Sequence, residues 1–227
     1  MNFVGFMRFT LCLLRNPNQR NHVFRWLESL KKEYFLIEKQ PWLVFDAIDF
    51  LLHLPLKGKR VFEYGSGGST LFWLNHSAEC VSIEHNPEWY KLMHHRLKDM
   101  DGIDYRLVQP EATEDRKISD TADPNLALSE DETFRGFNFI NYVRQIETFP
   151  NDFFDIVLID GRARPACIMH SVTKVKVGGL LILDNSDRGY YLSKTRCYLN
   201  NFSEKEFIGA IPANSFWSTT TIFTKNT

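Results

Sequence analysis

Residues 60–70 read R-V-F-E-Y-G-S-G-G-S-T, and this stretch decides the fold. A short apolar run ends at Glu63, glycines follow at positions 65, 67 and 68, and Ser69 and Thr70 then begin a predicted helix. Glycines let a backbone approach a ligand closely, and a helix start offers unpaired N–H groups. The stretch therefore predicts a strand, a tight turn and a helix that together form a nucleotide-binding corner.

The spacing of these glycines and two acids narrows the ligand. A dinucleotide fingerprint G-x-G-x-x-G would need its third glycine at position 70, where Thr70 stands. A carboxylate at Glu63 would repel a pyrophosphate and suits a ligand with a cationic end. About 20 residues on, a second apolar run ends in Glu84, where doubly wound folds hold a ribose diol. Together these features predict S-adenosylmethionine (SAM); the plainer interpretation is a glycine turn plus a strand-end acid.

The composition describes one ordinary globular domain. The chain has 227 residues, 44% of them hydrophobic, which is enough for one full core. Its net charge is −1, and no basic stripe with aromatics is visible, so nucleic acid is not expected as a partner. The cysteines lie far apart, which favours a reduced, cytoplasmic protein. No apolar run approaches the ~18 residues that a transmembrane helix needs.

Alternating strand and helix patterns predict a parallel α/β sheet of the doubly wound, Rossmann-like kind. Strands are expected at 61–64, 80–84, 104–108, 155–159 and 179–183, and helices at 69–75 and 87–98. The pair Gly178-Gly179 reads as a turn before the last of these strands. Two further β-like runs, 207–211 and 216–224, predict a terminal antiparallel hairpin. We therefore expect one domain over residues 56–227 and a helical extension over residues 1–55.

The helical extension begins with an apolar segment that has two interpretations. Residues 1–14 are mostly apolar and are interrupted by Arg8, and further apolar residues recur at helical spacing over 22–35 and 42–54. A signal peptide would begin with its basic residues and end at a small-residue cleavage site, and neither is present. The expected structure is a helix packed on the domain or on a second copy in a homo-oligomer. The alternative is contact of residues 1–25 with a membrane surface, which would make the protein peripheral.

The polar, acidic segment 109–134 interrupts the strand–helix rhythm. It is long for a loop in a compact domain. One interpretation is a solvated insertion. The other is a lid over the site, because long loops at the carboxyl ends of strands commonly contact substrates.

Four motifs together resemble the class I SAM-dependent methyltransferases, over roughly residues 44–224. They are F-E-Y-G-S-G-G-S-T at 62–70, S-I-E-H-N-P-E-W-Y at 82–90, F-D-I-V-L-I-D-G-R-A-R at 154–164 and K-V-G-G-L-L-I-L-D-N-S at 176–186. The chain is most similar to a bacterial group with D-G-R-x-R and D-N-S in the last two motifs. The resemblance implies a seven-stranded sheet with helices on both faces and an antiparallel last strand.

The resemblance also implies a cofactor site and an enzymatic activity. The implied cofactor-binding residues are Glu63, Gly65, Ser66, Gly67, Gly68, Glu84, His85, Asn86 and Asp160. Glu63 would face the amino group of SAM directly or through water, Glu84 the ribose, and His85 and Asn86 the adenine. The implied reaction is methyl transfer to a hydroxyl or amine of a small metabolite or glycan. Asp160 is the first candidate for the base and His170, one helical turn past Arg164, the second.

Two other functions remain open at this point. A non-catalytic module on the same fold would bind SAM or S-adenosylhomocysteine (SAH) and act through partners. An enzyme that uses NAD or a nucleotide sugar is disfavoured by Thr70, because that position would have to be glycine.

A narrower resemblance links the last two motifs to the metal-dependent catechol and caffeoyl-CoA O-methyltransferases. It implies Mg²⁺ bound by Asp160, Asp184 and Asn185, whose hard oxygen ligands suit that ion. Asp184 and Asn185 would then also contact the substrate. The catechol enzymes carry a lysine base three residues after the strand-end acid. Here that position is Ala163, and the adjacent arginines cannot act as bases because they stay protonated.

Arg162 and Arg164 lie just past a strand end, where the acceptor is expected. A guanidinium pairs bidentately with a carboxylate or phosphate, so both are predicted to bind an anionic group of the substrate. The alternative is that they pair with acids of the protein itself, such as Asp187 or the segment 111–132.

Overall fold

The computed structural model describes residues 3–113 and 120–227. Two of the acids noted in the segment 109–134, Glu114 and Asp115, lie outside the described residues. The strands are β1 (Arg60–Tyr64), β2 (Glu79–Glu84), β3 (Ile103–Leu107), β4 (Glu111–Ala112), β5 (Phe137–Asn138), β6 (Phe154–Ile159), β7 (Val175–Leu183), β8 (Phe202–Ala210) and β9 (Trp217–Lys225).

Helices precede, separate and flank these strands. The α-helices are α1 (Phe3–Arg15), α2 (Val23–Ser29), α3 (Tyr34–Ile37), α4 (Phe45–Leu52), α5 (Gly68–Asn75), α6 (Pro87–Leu97), α7 (Ile140–Val143), α8 (Arg164–Ser171) and α9 (Tyr190–Ser193). Short 3-10 helices lie at Arg20–His22, Glu132–Phe134, Arg144–Thr148 and Arg196–Leu199.

Seven strands form one sheet in the order β3-β2-β1-β6-β7-β9-β8. Within this sheet β3, β2, β1, β6 and β7 are parallel to one another, and β9 is antiparallel to both of its neighbours. The predicted α/β fold with an antiparallel last strand is confirmed. Strand order reverses between β1 and β6, and in such sheets ligands bind outside the carboxyl ends of the strands at that point.

The central strands are apolar on both faces because helices cover both sides of the sheet. Along β6, Ile156 and Leu158 join one buried cluster, and Val157 and Ile159 join the other. This alternation is what the period of two in a strand requires. The uninterrupted apolar run at 156–159 therefore fixes β6 as a fully buried strand.

Strand β7 corrects the expectation of a turn at Gly178-Gly179. The strand begins at Val175 and runs through both glycines. Its pairing with β6 shifts between Phe154 and Ile156, which marks a bulge. Gly178 has a φ of 75° there, a conformation that glycine adopts without the steric cost of a Cβ atom. The glycine pair thus bends a strand instead of preceding it.

The N-terminal residues are helical but more broken than expected. The helix expected over 22–35 is divided, because Glu33 adopts a left-handed conformation with φ 58° between α2 and α3. Helix α1 packs on the domain: the ring of Phe9 lies 5.1 Å from Trp26 and 5.7 Å from Trp217. The Trp26 indole N–H donates to the Asn214 carbonyl at 2.7 Å. This contact joins the extension to the β8–β9 turn.

The outer face of α1 keeps apolar side chains exposed, namely Met7, Leu11 and Leu14. Contact of residues 1–25 with a membrane surface stays a prediction. In the described ranges, no helix combines the length and the apolar character needed to cross a bilayer.

The described part of the acidic segment lies over the carboxyl end of the sheet. Strand β4 pairs with β5, which closes the segment into a loop. Asp131 pairs with Arg162 at 2.9 Å, and the Tyr190 hydroxyl donates to Glu130 at 2.7 Å. These contacts favour the lid interpretation over a solvated insertion, although such exposed pairs each contribute little stability.

Candidate functional site

Three neighbouring cavities lie at the carboxyl ends of the central strands. The first has a volume of about 520 Å³ and rests on the glycine loop between β1 and α5. All the predicted cofactor-binding residues except Glu63 line it, in the order Gly65, Ser66, Gly67, Gly68, Glu84, His85, Asn86 and Asp160. The structure thus brings together residues from three separate motifs.

Glu84 ends β2 with its carboxylate held by donors of the protein. Oε1 accepts from the backbone N–H groups of His85 and Asn86, both at 2.8 Å. Oε2 accepts from the Ser66 backbone N–H at 3.2 Å and hydroxyl at 2.9 Å. Burial raises the pKa of Glu84, but the hydrogen bonds from His85, Asn86 and Ser66 outweigh it, so its pKa is lowered. Glu84 is therefore ionised at neutral pH.

The Ser66 hydroxyl can change its hydrogen-bond partner and so make Glu84 available to the hydroxyls of a diol. It also lies 2.7 Å from the Tyr105 hydroxyl. Turning the serine hydroxyl to Tyr105 alone would free a lone pair of Glu84 Oε2 for a ligand hydroxyl. Tyr105 was not among the predicted residues, because nothing in its own strand pattern distinguishes it from a packing tyrosine.

Glu63 lies behind the glycine loop and does not line the cavity. It is fully buried, and its carboxylate accepts from the Thr70 hydroxyl, from the Ser82 hydroxyl at 2.7 Å and from the Trp73 indole at 3.2 Å. The Thr70 hydroxyl accepts in turn from the Gly67 N–H at 3.0 Å. A direct contact between this buried acid and a ligand amino group does not fit this arrangement, and a contact through water stays a prediction. Glu63 holds the loop in place through Thr70.

Replacing Glu63 with glutamine is expected to flatten the pH dependence of unfolding. Burial raises its pKa from an ordinary 4.5 to about 7, against the opposing hydrogen bonds from Thr70 and Ser82. The folded state therefore holds the proton of Glu63 more tightly than the unfolded state does. The stability that this proton contributes is fully present below the unfolded pKa and is lost as the pH rises through the folded pKa. Between about pH 5 and about pH 7, the free energy of unfolding of the wild type should fall by about 2 kcal/mol more than that of Glu63→Gln.

Urea titrations at several pH values measure this difference. Glu79→Gln is the matched control, because Glu79 is an exposed acid on the neighbouring strand β2. Equal slopes against pH for wild type and Glu63→Gln would contradict the prediction.

Aromatic side chains complete the first cavity. The Trp89 indole N–H donates to the Ser66 carbonyl at 2.9 Å and fixes the glycine loop. Phe35 and Trp42, from the N-terminal extension, stack with ring centres 5.0 Å apart and also line the cavity. Sequence reasoning missed both, because their pattern is that of ordinary helix packing. The extension is thus part of the site.

A second cavity of about 510 Å³ lies beside the first, at the ends of β6 and β7. Its lining includes the remaining predicted residues Asp184 and Asn185, together with Asp187, Phe216 and Ser218. Trp42, Asp160 and Arg162 line both cavities. A group bound in one cavity can therefore meet a group bound in the other at these three side chains.

A third cavity of about 640 Å³ lies under the acidic segment. It is lined by residues 128–131 and 161–165 and by Arg188, Tyr190 and Tyr191. Arg162 is shared with both other cavities. Its guanidinium pairs with Asp131 at 2.9 Å while 37% of its side chain stays exposed. Arg162 therefore pairs with an acid of the protein and still faces the cavities, where a ligand anion could reach it.

Arg164 differs from Arg162 in having four of its five N–H donors occupied by protein oxygens. Arg164 is buried, with 7% of its surface exposed. Nε donates to the Gly161 carbonyl at 3.1 Å, Nη2 to Asp160 Oδ1 at 3.0 Å, and Nη1 to the Asp184 carbonyl. Both arginines therefore pair with acids of the protein, which was the alternative to substrate binding. The partners are Asp131, Asp160 and Asp184; Asp187 accepts instead from Ser218 and the Thr219 N–H.

Asp160 is placed for proton transfer. A quarter of its side chain, 25%, is exposed in the cavities. Burial and the nearby Asp184 raise its pKa, and Arg164 opposes that rise. Burial also raises the pKa of Asp184, whose Oδ1 accepts from Thr220 at 2.7 Å. A carboxylate with a raised pKa is a better base than an ordinary aspartate.

The predicted metal ligands share the second cavity, but their surroundings do not fit a divalent ion. The guanidinium of Arg164 lies 3.0 Å from Asp160 Oδ1 and 4.0 Å from Asp184 Oδ2. The Asn185 amide nitrogen donates to the Ser218 hydroxyl at 3.1 Å. An ion between the two carboxylates would meet the positive charge of Arg164 at close range, which is strongly repulsive in a partly buried site.

His170 is not brought to this site. Its Nδ1 lies 2.7 Å from Glu147 Oε1, and it lines none of the three cavities. The structure thus separates it from Asp160, and its polar contact with Glu147 accounts for its position on α8 without a role in proton transfer.

Comparison with known proteins supports the architecture through structure alone. No family model matches the sequence, and no curated protein matches it. The O-methyltransferase TomG from Streptomyces achromogenes, solved with SAM, superposes with a TM-score of 0.59 at 12% identity, over 92% of this chain and 96% of that one. The chain has the class I methyltransferase fold.

Other solved structures share this methyltransferase fold. An O-methyltransferase from Bacillus cereus in complex with SAH gives a TM-score of 0.53 at 13% identity, covering 96% of this chain and 91% of its own. The tRNA (m1A58) methyltransferase TrmI from Aquifex aeolicus gives 0.50 at 13% identity, covering 86% and 76%. Proteins that methylate such different acceptors share the methyltransferase fold, so the acceptor has to be argued from the site.

Proposed function

We propose that this chain is a SAM-dependent methyltransferase acting on a hydroxyl or amine of a small metabolite or glycan. The observation that carries the proposal is the junction of the first and second cavities at Asp160. One cavity offers the glycine loop and the ionised Glu84, and the other offers room for an acceptor. A site for methyl transfer needs both, joined where the methyl group passes.

The lining of the first cavity suits SAM. Glu84 would accept hydrogen bonds from the ribose hydroxyls, and His85 and Asn86 would border the adenine. The loop at 65–68 would contact the methionine part at short range. When bound, SAM supplies an electrophilic methyl group on a positively charged sulfur. The negative charge of an ionised Asp160 is complementary to that sulfur.

The residues at the junction then account for the transfer. A hydroxyl acceptor in the second cavity would lose its proton to the Asp160 carboxylate as its oxygen bonds to the methyl carbon. The bond from that carbon to sulfur breaks and leaves SAH. Most of the rate enhancement would come from alignment, because transfer requires the acceptor oxygen, carbon and sulfur in line. Trp42 would exclude water from the junction.

The proposed acceptor carries an anionic group, and the residues proposed to bind that group are Arg162 and Arg188 instead of Arg162 and Arg164. Arg164 has four of its five N–H donors on protein oxygens, whereas Arg162 faces all three cavities. Arg188 lines the second and third cavities and lies 3.8 Å from Glu130. These two arginines would bind a carboxylate or phosphate that displaces Asp131 and Glu130.

Calorimetric titration with SAH tests the cofactor part of the proposal. We expect micromolar binding by the wild type, and weaker binding of adenosine, which lacks the part that faces the glycine loop. An assay of SAH release from SAM with hydroxylated acids and sugar phosphates then tests the chemistry. SAH binding without turnover on any acceptor would favour a non-catalytic module, and no SAH binding would overturn the proposal.

A further inference from the structure

Arg164 is held in place by the chain on both sides of it. It begins α8, after Ala163 in the left-handed region with φ 51° and before Pro165 in the first helical turn. Proline fixes its own φ and suits the first turn of a helix, so the direction in which α8 leaves β6 is set locally. This geometry turns the arginine side chain back toward the ends of the strands.

The guanidinium of Arg164 connects two neighbouring strand ends. Nη2 donates to both the carbonyl and the carboxylate of Asp160, at 3.2 and 3.0 Å. Nη1 donates to the Asp184 carbonyl, and its distance to the Asp184 carboxylate is 4.0 Å. Its Cζ atom lies 5.2 Å from the ring centre of Tyr191, within range of a cation–π contact. One planar cation thus contacts the ends of β6 and β7.

The two carboxylates need such a cation. Asp160 and Asp184 follow adjacent strands, so their negative charges lie near each other in a partly buried place. Like charges there would repel strongly unless a positive charge lies with them. In proteins a pair of carboxylates with a neighbouring amide is also a ligand set for Mg²⁺. Here the positive charge comes from the chain.

We propose that Arg164 is a built-in cation that takes the place of a divalent metal ion at this strand-end site. It fixes the positions of Asp160 and Asp184 permanently, and no metal binds between them. With respect to the reaction, the inference rests on the proposed methyl transfer: the chemistry would proceed without added metal. Arg164 is a positioning residue, because it would act on the reaction only through Asp160 and Asp184, which it touches.

This arrangement limits which acceptors the site can take. A metal ion can chelate two adjacent oxygens of a substrate, but a guanidinium with four of its five N–H donors on protein oxygens cannot. An acceptor would therefore be held by the walls of the second cavity, through side chains such as Asn185 and Phe216. A single hydroxyl is sufficient, and a catechol has no advantage over a monohydroxyl compound.

Mn²⁺ titration followed by electron paramagnetic resonance tests the inference. The proteins are wild type, Asp184→Asn, Arg164→Ala, Arg164→Ala with Asp184→Asn, and Arg162→Ala as the matched control. We expect no saturable Mn²⁺ site that depends on Asp184 in wild type or Arg162→Ala. Arg164→Ala should gain one site, at least about tenfold tighter than any binding by wild type, and the added Asp184→Asn should remove it.

Two results would overturn the inference. One is a saturable Mn²⁺ site in the wild type that Asp184→Asn abolishes. The other is a folded Arg164→Ala protein, shown by a cooperative unfolding transition, that gains no site. If Arg164→Ala does not fold, the wild-type titration decides alone: no site supports the inference and a site lost with Asp184→Asn overturns it. Because Mn²⁺ is measured without SAH, failure of the proposed cofactor binding would be seen separately.

Discussion

Replacing Glu84 with alanine should weaken SAH binding by about a hundredfold or more. A hydrogen bond to a charged group contributes about 1.5–3 kcal/mol, and two ribose hydroxyls would each form one with this carboxylate. The same change removes the acceptor for the N–H groups of His85, Asn86 and Ser66. The first cavity would then lose the proposed contacts with the ribose and also the hydrogen bonds that hold the backbone around Glu84.

Calorimetry with SAH measures the loss, and two variants identify its cause. Glu84→Gln keeps the size of the side chain but offers one acceptor oxygen, so we expect an intermediate affinity. Glu79→Ala, at the opposite end of the same strand, should bind SAH like the wild type. Wild-type affinity in Glu84→Ala would remove Glu84 from the cofactor site and with it the assignment of the first cavity.

Replacing Gly68 with alanine is expected to destabilise the protein by about 3–4 kcal/mol. A Cβ atom at this position would lie 2.1 Å from the Gln40 carbonyl oxygen and 2.6 Å from that of Phe35. Both are backbone atoms, and the Gln40 N–H donates to the Phe35 carbonyl at 3.0 Å. The two segments would have to move apart, and that movement would carry Phe35 and Trp42 away from the cavity.

Denaturant unfolding measures the stability, and SAH titration measures the movement. Gly189→Ala is the matched control, because Gly189 also stands at a helix start, has φ −51° and has no atom within 4 Å of a Cβ position. It should be neutral or slightly stabilising, since alanine reduces the freedom of the unfolded chain. Equal stability of Gly68→Ala and wild type would mean that the extension does not rest on the glycine loop.

The sequence predicted the strands well because each buried strand is a distinct apolar run with polar residues at its end. For Glu84 the strand-end position alone indicated its place at the cavity. The same reasoning placed Glu63 near a ligand, although its carboxylate faces Thr70, Ser82 and Trp73. Which way a strand-end side chain points depends on the helix packed behind it, and a single sequence does not contain that information.

The parts of the site that sequence reasoning missed come from contacts between distant segments. Trp42 is more than a hundred residues from Asp160, yet both line the same two cavities. The pairing of Arg162 with Asp131 was foreseen only as one of two alternatives. Charge and spacing identify candidate partners along the chain, but tertiary packing decides which of them meet.

The N-terminal extension packs on the glycine loop, so the functional unit is larger than the domain that the sequence motifs outline. A fragment of residues 56–227 would contain every motif but would lack the wall formed by Phe35 and Trp42. Two segments line the second cavity and not the first: the end of β7 at 184–188 and the hairpin turn at 211–216. Exchanging these short segments is thus a practical route to redesigning acceptor choice, with the nucleoside-binding corner left intact.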